Sequence, residues 1–396
     1  MSRIGRRATS FNDLPHELAF DIFFRVPVKS LIRSSAVCKT WYSIVKNPDF
    51  VSAEISHAIS SCNEDSVLII PRHDKYCLLI SAETGAVIDK YEIPFASTKL
   101  ELVGSVNGLV CLIDDFIPTR DPFLYTFPKT AYHNLYMWNP SVRKYKQIVS
   151  SSFRKRYADE VRISYAHGFG FYEPSRDYRV VRIMYFNGLR GNQFEKLTPR
   201  VEVFSLRMNR WRPWRGDNNA VVSRVASKIG TTVNSTVYWL KDESSGVWIM
   251  SFDFNNEVFG KIKLPNDVCH SLGEVRDFQL MKFEGSLSVC VRNHLTLIDK
   301  KFYRPCCIWL ISHNDGVVSS TLRFRVVLKK IGQPLNITKG GALLMAKSIR
   351  STCKVLSCNL QSMQYTYLEF HEHPCNAETF FVESLGGAEL LTSSAM

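Results

Sequence analysis

Apolar residues recur every four positions near the start of the chain. Leu18, Ile22 and Val26 form such a series after Asp13, and this spacing places one apolar stripe along a helix. Pro15 suits the first turn of that helix, where its missing backbone N–H is not needed. The pattern therefore predicts an amphipathic helix that begins near Pro15.

Two further helices are predicted after Pro27, which ends the first helix and can open the next. The apolar positions of the second helix are Val28, Leu31 and Ile32. The third helix should carry Val37, Trp41, Ile44 and Val45, and end before Asn47-Pro48. Three helices of this size enclose too small a core to be stable alone. We therefore expect their outward apolar and proline side chains to pack on something else.

Beyond Ile59 the helical period gives way to short apolar runs separated by polar, glycine-rich clusters. A unit of strand, polar turn and strand recurs, with turns near Glu83, Ser141, Met208, Asn255, Asn314 and Gln361. Propeller blades have four short strands in about 40–50 residues, and insertions lengthen some of them. The pattern predicts an all-β domain, a β-propeller of about six blades. A large β-sandwich or a partly closed assembly is the alternative.

The sequences of both regions resemble those of a known protein family. Leu-Pro-x-Glu-Leu, Ile-Phe-x-Arg-Val-Pro-Val-Lys-Ser-Leu, Val-Cys-Lys-x-Trp and Pro-x-Phe, in this order, resemble the F-box of plant F-box proteins. NGLVCL, WNPSVRKY, GFGFYEPSRDYRVVRI and VEVFSLRMNRW resemble their F-box-associated, kelch-like region, although true kelch repeats carry a double glycine in each blade. The resulting prediction is an α+β multidomain protein with a flexible start (1–10), a three-helix F-box (11–56), a propeller-like domain (57–385) and a flexible tail (386–396).

The resemblance implies a substrate-recognition subunit of an SCF-type ubiquitin ligase, which is not itself an enzyme and needs no cofactor. Its F-box would bind a Skp-type adaptor and, through it, a cullin and a RING subunit, while the β domain would hold a client protein. The positions that match the F-box motif either contact the adaptor or hold the helices together. They are Leu14, Pro15, Leu18, Ile22, Val26, Pro27, Leu31, Val37, Cys38 and Trp41.

Charge is concentrated in one part of the chain. The net charge is +13, and residues 129–230 alone hold 20 Lys and Arg against 7 Asp and Glu. Such an excess can steer an acidic partner surface, or it can simply keep basic loops in solution. On the first interpretation, the predicted client contacts are Arg154, Lys155, Arg156, Arg190 and Arg215.

The composition also bears on location. No apolar run is long enough for a transmembrane helix, and the basic start is not followed by the apolar segment of a secretory signal. The chain has 11 cysteines without a repeating spacing, which is typical of reduced thiols and not of a disulfide framework. We therefore expect a protein of the cytoplasm or nucleus that does not bind membranes.

Motifs for catalysis are missing or incomplete. The chain has no P-loop, no Gly-x-Ser-x-Gly elbow and no His-Glu-x-x-His helix, and Gly168-Phe-Gly170 lacks the third glycine of a dinucleotide site. His371-x-His373-x-Cys375 could place three metal ligands on one face of a strand. However, Pro374 would interrupt a central strand, so an exposed loop is the favoured interpretation.

Three other functions remain open. The run from Arg210 to Arg215 interleaves cations with Trp211 and Trp214, which would suit nucleic acid, although blade packing is the favoured interpretation. A propeller scaffold outside any ligase, reading nucleic acid or carbohydrate, is a second alternative, and a hydrolase with dispersed residues is a third. Within the ligase hypothesis, WNPSVRKY and VEVFSL also resemble self-incompatibility receptors for pollen–pistil ribonucleases.

Overall fold

The computed structural model of the chain consists of an N-terminal helical module and a ring of six β-sheets. The residues that the structure describes are 15–61, 66–71, 75–81, 84, 86–95, 100–116, 132–148, 161–188, 199–216, 224–243, 246–272, 277–293, 296–298, 301–314, 317–328, 332–338, 340–349, 352–368, 374–378, 387 and 390–391.

The helical module contains one helix more than predicted. Its helices are α1 (His16–Phe24), α2 (Val28–Ser34), α3 (Lys39–Lys46) and α4 (Pro48–Ser61). Asn47-Pro48 ends α3, as expected, but it also begins α4, because the Asn47 Oδ1 atom accepts the backbone N–H of Asp49 at 2.8 Å. An Asn cap followed by Pro at the first helical position is a strong start signal.

One detail of the predicted third helix was wrong. Val37 lies in the turn before α3, since Cys38 is extended (φ −157°) and caps the helix instead of continuing it. The core of the helical module forms around Phe50, which has 0% of its surface exposed and stacks on Phe24 with ring centroids 4.9 Å apart. The other buried members of this core are Ala19, Phe23, Leu31, Ile44 and Val45.

Twenty-five described strands build the ring. They are β1 (Ser66–Pro71), β2 (Tyr76–Ser81), β3 (Val87–Glu92), β4 (Leu100–Val106), β5 (Leu109–Phe116), β6 (Tyr132–Asn139), β7 (Lys144–Ile148), β8 (Val161–Tyr172), β9 (Asp177–Gly188), β10 (Arg200–Ser205), β11 (Arg210–Pro213), β12 (Thr231–Val233), β13 (Thr236–Glu243), β14 (Gly246–Asp253), β15 (Val258–Lys263), β16 (Asp277–Phe283), β17 (Ser286–Arg292), β18 (Thr296–Ile298), β19 (Lys301–Asn314), β20 (Val317–Leu328), β21 (Gln333–Ile337), β22 (Ala342–Ile349), β23 (Thr352–Asn359), β24 (Tyr365–Leu368) and β25 (Pro374–Glu378). A short 3₁₀ helix (Glu173–Ser175) and α5 (Asn266–Cys269) lie between strands.

Each sheet is one antiparallel blade, so the predicted six-bladed propeller is confirmed. Blades 2 to 4 and blade 6 are the consecutive strands β4–β7, β8–β11, β12–β15 and β21–β24, and blade 5 contains β16–β20. Blade 1 contains β1–β3 and takes its innermost strand, β25, from the other end of the chain. The innermost strands β25, β4, β8, β12, β16 and β21 contact one another around the axis, and this order closes the ring.

The closing strand corrects the expectation of an exposed loop at residues 371–375. Residues 371–373 lie outside the described residues, but Pro374 is the first residue of β25 and pairs with Pro71 where the register of the ladder shifts. Proline is tolerated at the first position of a strand and at a bulge, because no ladder hydrogen bond is required from it there. The proline therefore marks the start of a strand.

The six predicted turn positions fall between the third and fourth strands of the six blades, counted from the axis. In the described residues, every non-glycine residue with positive φ lies in one of these turns or in the turn between the first two strands. Asn107, Asn209 and Asn234, with φ of 51°, 49° and 54°, are examples. Asn tolerates this conformation better than most residues, which is why the polar turns could be recognised in the sequence.

Gly168 and Gly170 serve packing between blades 3 and 4. A Cβ atom at Gly168 would lie 2.7 Å from Val237 Cγ1, and one at Gly170 would lie 2.2 Å from Phe254 Cε2. Both neighbours are fully buried, so they cannot move aside. This close approach explains the two glycines without a nucleotide site.

We expect Gly170→Ala to destabilise the protein by about 1–3 kcal/mol or more, because it overpacks a closed core. The measurement is the urea midpoint followed by tryptophan fluorescence. Gly260→Ala is the control, since the nearest atom to its added Cβ is the Ser251 hydroxyl oxygen, which can rotate away. Equal midpoints for the two variants would contradict the packing role of Gly170.

Candidate adaptor-binding surface

The N-terminal module exposes part of the predicted set of F-box residues. Leu18, Ile22 and Val37 have 52%, 43% and 65% of their surface exposed, although each side chain is apolar. Pro15 and Pro27 are exposed as well. Leu18 and Ile22 lie one turn apart on α1 and so form an apolar patch, and exposed apolar patches often mark an interaction site. Leu18 and Ile22 of the predicted stripe therefore face outward, whereas Val26 does not.

Other members of the set hold the helices together. Leu31 is 1% exposed, and Val26 and Trp41 pack against the same core, with the Trp41 ring 5.3 Å edge-on from Phe23. Cys38 is half-buried at the start of α3. Leu14 lies outside the described residues. The set thus divides into exposed residues and packing residues.

Sequence reasoning missed the true inward face of α1. This helix is apolar on two sides, and the side that enters the core carries Ala19 and Phe23, with Phe20 and Phe24 packed against it. The spacing of these aromatic residues, at i, i+3 and i+4, was a usable signal for a buried face. Because the inward side is already filled, the outward Leu18 and Ile22 are not needed for the core.

The helical module contacts three blades of the propeller. The Lys29 ammonium forms an ion pair with Asp89 of blade 1 and lies 4.7 Å from the centre of the Tyr91 ring. Val142, in the turn between β6 and β7, packs against the helical core. Arg176, after the 3₁₀ helix of blade 3, donates from Nη1 to the Pro48 carbonyl at 3.3 Å. No local sequence motif predicts these long-range contacts.

These contacts define two faces of the propeller. Successive strands of a blade run in opposite directions, so the β6–β7 and β8–β9 turns lie on one face, which we call the joint face. The opposite, far face contains the end of β7, the start of β8, the end of β9 and the start of β10. Arg215 follows the end of β11 on the far face and is exposed.

The other four client candidates lie in connections between strands. Arg154, Lys155, Arg156 and Arg190 lie outside the described residues, within the segments that connect β7 to β8 and β9 to β10. The described ends of these four strands all lie on the far face. The described strand ends that flank these connections therefore lie on the same face as Arg215.

Part of the basic excess is neutralised inside the propeller. Arg182 donates to the Glu202 carboxylate at 2.6 Å, and both residues are buried. Arg179 and Arg212 both pair with Glu257 across blades 3 and 4. Arg182 and Arg179, with 5% and 12% of their side chains exposed, are therefore not available to a partner, whereas the Arg212 side chain is 39% exposed. The exposed arginines of the far face include Arg200, Arg215 and Arg224.

The tryptophans of the Arg210–Arg215 run pack within the protein. Trp211 packs against the core of blades 2 and 3, with the Arg182 guanidinium 4.0 Å from its ring centre. Trp214 donates from Nε1 to the Glu257 carbonyl at 2.8 Å and packs edge-on against Phe259. Stacking on nucleic-acid bases requires accessible ring faces. This packing favours the blade interpretation of both rings.

Cys111 and Cys306, both buried, do not resemble activated nucleophiles. Burial raises the pKa of the Cys111 thiol, and a hydrogen bond with Cys290 together with burial raises the pKa of Cys306. Reactive cysteines have lowered pKa values and partial exposure. Among the described residues, no three His, Cys, Asp or Glu side chains cluster in a way that could hold a metal ion. No described helix is long and apolar enough to cross a bilayer.

Comparison with known proteins identifies both units. The F-box domain profile matches residues 11–52, and the profile of the F-box associated beta propeller domain matches residues 58–384. An F-box/kelch-repeat protein of Arabidopsis thaliana is 30% identical over 284 residues, which is 69% of this chain and 71% of the relative. A second F-box protein of that plant is 26% identical over 307 residues, 72% of this chain and 68% of the relative.

Similarity to solved structures is more distant. TolB from Acinetobacter baumannii aligns over 84% of this chain and 71% of its own, with 8% identity and a TM-score of 0.39.

F-box domains bind Skp-type adaptors in SCF complexes, and F-box receptors are generally non-catalytic adaptors. The match to the propeller profile covers most of the chain. The chain therefore belongs to the plant F-box proteins that carry an F-box-associated β-propeller domain.

Proposed function

We propose that this protein is the client-recognition subunit of an SCF-type ubiquitin ligase and has no catalytic activity of its own. Its F-box binds the Skp-type adaptor, which links it to the cullin and RING subunits, and its propeller holds a client protein. The mechanism is proximity, because a held client experiences a high effective concentration of the ubiquitin-conjugating enzyme.

The exposure of Leu18, Ile22 and Val37 is the observation that supports adaptor binding most directly. These three apolar side chains are turned away from a helical core that is complete without them. Burying a Leu, Ile or Val side chain gains about 1.5–3 kcal/mol relative to leaving it in water. Exposing these side chains to water therefore costs free energy in the isolated protein, and burying them against an adaptor would recover it.

Reconstitution tests the proposal. The purified full-length chain, mixed with a Skp-type adaptor and a cullin–RING pair, should elute as one stoichiometric complex in size-exclusion chromatography. Leu31→Asp provides a comparison that disrupts the helical core, since Leu31 is buried. Failure of the wild-type chain to bind the adaptor, under conditions in which it is folded by circular dichroism, would reject the ligase assignment.

For the client, we propose the far face as the binding surface and an acidic surface as the partner. The far face is opposite the joint with the F-box, so a client there does not compete with the helical module. Exposed arginines at Arg200, Arg215 and Arg224 supply positive charge. The strands that flank Arg154, Lys155, Arg156 and Arg190 in the sequence have their adjoining ends on the same face. A basic ribonuclease, as in a self-incompatibility receptor, would be repelled by this charge.

Quantitative proteomics after loss of the protein would identify the clients as proteins that accumulate. Binding of a client found in this way should weaken several-fold between low and physiological ionic strength, because exposed charges are screened. Arg215→Glu should weaken it further, whereas Arg143→Glu, an exposed residue of the joint face, should not. Client binding that does not depend on salt would contradict electrostatic steering by the far face.

We also propose a cytoplasmic or nuclear location. Eight of the chain's 11 cysteines are free thiols in the structure, as in proteins of reducing compartments. A fluorescent fusion should therefore be found in the cytosol or nucleus, and a secreted fusion would contradict the proposal.

A further inference from the structure

A cavity lies between the helical module and the joint face of the propeller. Its volume is about 330 Å³, at the lower end of the range for small-molecule sites. The helices contribute Ile32, Val45 and Ile55, and the propeller contributes Val142, Phe171 and Tyr178. Such sites occur preferentially where two domains meet, because neither domain fills the space completely.

The rim of this cavity is basic. Lys46 and Lys144 line it from the helical module and from blade 2, and Arg176 and Arg207 line it from blade 3. None of the described lining residues is acidic. The Asp49 carboxylate comes within 3.9 Å of Arg176, but it is 89% exposed and screened by solvent. The described lining thus carries four basic side chains and no acidic one, which favours a negatively charged occupant.

The apolar walls restrict the class of anion further. A sugar phosphate or a polyol would bring many hydroxyl groups into contact with isoleucine, valine and phenylalanine side chains, where they would lose hydrogen bonds to water. An aromatic or alicyclic body with one acidic group would bury its ring between these walls. Its acidic group could meet a lysine or arginine at the rim.

We propose that this cavity is a binding site for a small apolar organic acid, held by both domains. Because the lining comes from both domains, a bound acid would stabilise this arrangement of the F-box relative to the propeller. This inference goes beyond the function proposed above and does not depend on it, since binding can be measured without adaptor or client.

Two dyes of similar shape test whether the cavity binds an apolar ring system and whether it prefers one that carries an acidic group. 8-Anilinonaphthalene-1-sulfonate has an aromatic body with one anionic group, and N-phenyl-1-naphthylamine is its uncharged counterpart. Titration of the full-length chain, followed by dye fluorescence, should show one saturable site for each dye, with the anionic dye bound several-fold more tightly. High salt should reduce that difference, because the charges at the rim are partly exposed.

A filling variant tests the location. Ser52→Phe on α4 places a ring in the cavity and should weaken both dyes at least tenfold. Ser56→Phe is the matched control, because Ser56 lies one turn along the same helix, is exposed and does not line the cavity. Unchanged binding in Ser52→Phe, or equal losses in the two variants, would overturn the proposal.

A charge variant tests the ligand class and covers the case in which Ser52→Phe fails to fold. Lys46→Glu combined with Arg207→Glu should weaken the sulfonate several-fold and leave the uncharged dye unchanged. Arg210→Glu, an exposed change outside the cavity, should affect neither dye. Equal affinity of the double variant and the wild type for the sulfonate would overturn the assignment of an anionic ligand.

Discussion

Replacing Leu18 and Val37 together by aspartate is expected to abolish capture of the Skp-type adaptor without unfolding the protein. Both side chains are more than half exposed, so neither change removes packing from the helical core. In a complex, each aspartate would carry a charge into an apolar contact, which is strongly unfavourable. Central interface residues contribute 2 kcal/mol or more each.

The expected loss of affinity is therefore at least about 100-fold, since each 1.4 kcal/mol is a factor of ten. Isothermal titration of purified adaptor into each variant measures it. Val317→Asp on β20 is a matched control, because Val317 is 69% exposed on the outer strand of blade 5, whereas the contacts described for the helical module are to blades 1, 2 and 3. Unchanged adaptor affinity in the double variant would show that the adaptor binds another surface.

The blades were predictable from the sequence because their signals are local. A turn such as Asn107-Gly108 needs residues that accept positive φ, and flanking apolar runs pair across it. These requirements are met within a few residues, so they repeat in the described turns of blades 2 to 6. The strands of blade 3, for example, follow one another in sequence and in space.

Contacts between distant parts of the chain could not be predicted in this way. The pairing of β25 with β1 joins residues about three hundred positions apart, and Pro374 gave a misleading local signal. The joint depends on single side chains, such as Arg176 at the Pro48 carbonyl, that belong to no pattern. The exposed half of the F-box set was predictable as a group, but the division into contact and packing residues needed the core around Phe50.

Removal of β25 is expected to have the largest effect on the fold. A chain that ends after Phe370 loses the innermost strand of blade 1, which pairs with Leu68, Ile69 and Ile70 of β1. Those three residues are 0% exposed in the closed ring. Without β25 their strand becomes an open apolar edge, a known template for aggregation.

Total stabilities of domains are only about 5–15 kcal/mol, so the loss of a central strand in a closed ring should remove cooperative unfolding altogether. A chain that ends after Leu391 keeps β25 and should unfold like the full chain. Urea unfolding followed by tryptophan fluorescence, with solubility as a second readout, distinguishes the two truncations.

Two point variants separate the strand pairing from the loss of the tail. Bonded and non-bonded residue pairs alternate along an antiparallel ladder, so one of Asn376→Pro and Ala377→Pro must remove a hydrogen bond to β1. Proline disturbs the strand locally at either position, so this effect is shared by the two variants. The variant that also loses the hydrogen bond should therefore have a much lower urea midpoint than its neighbour. If the chain ending at Phe370 unfolded cooperatively at the wild-type midpoint, the ring would be stable without its closing strand. That result would contradict the stabilising role of β25.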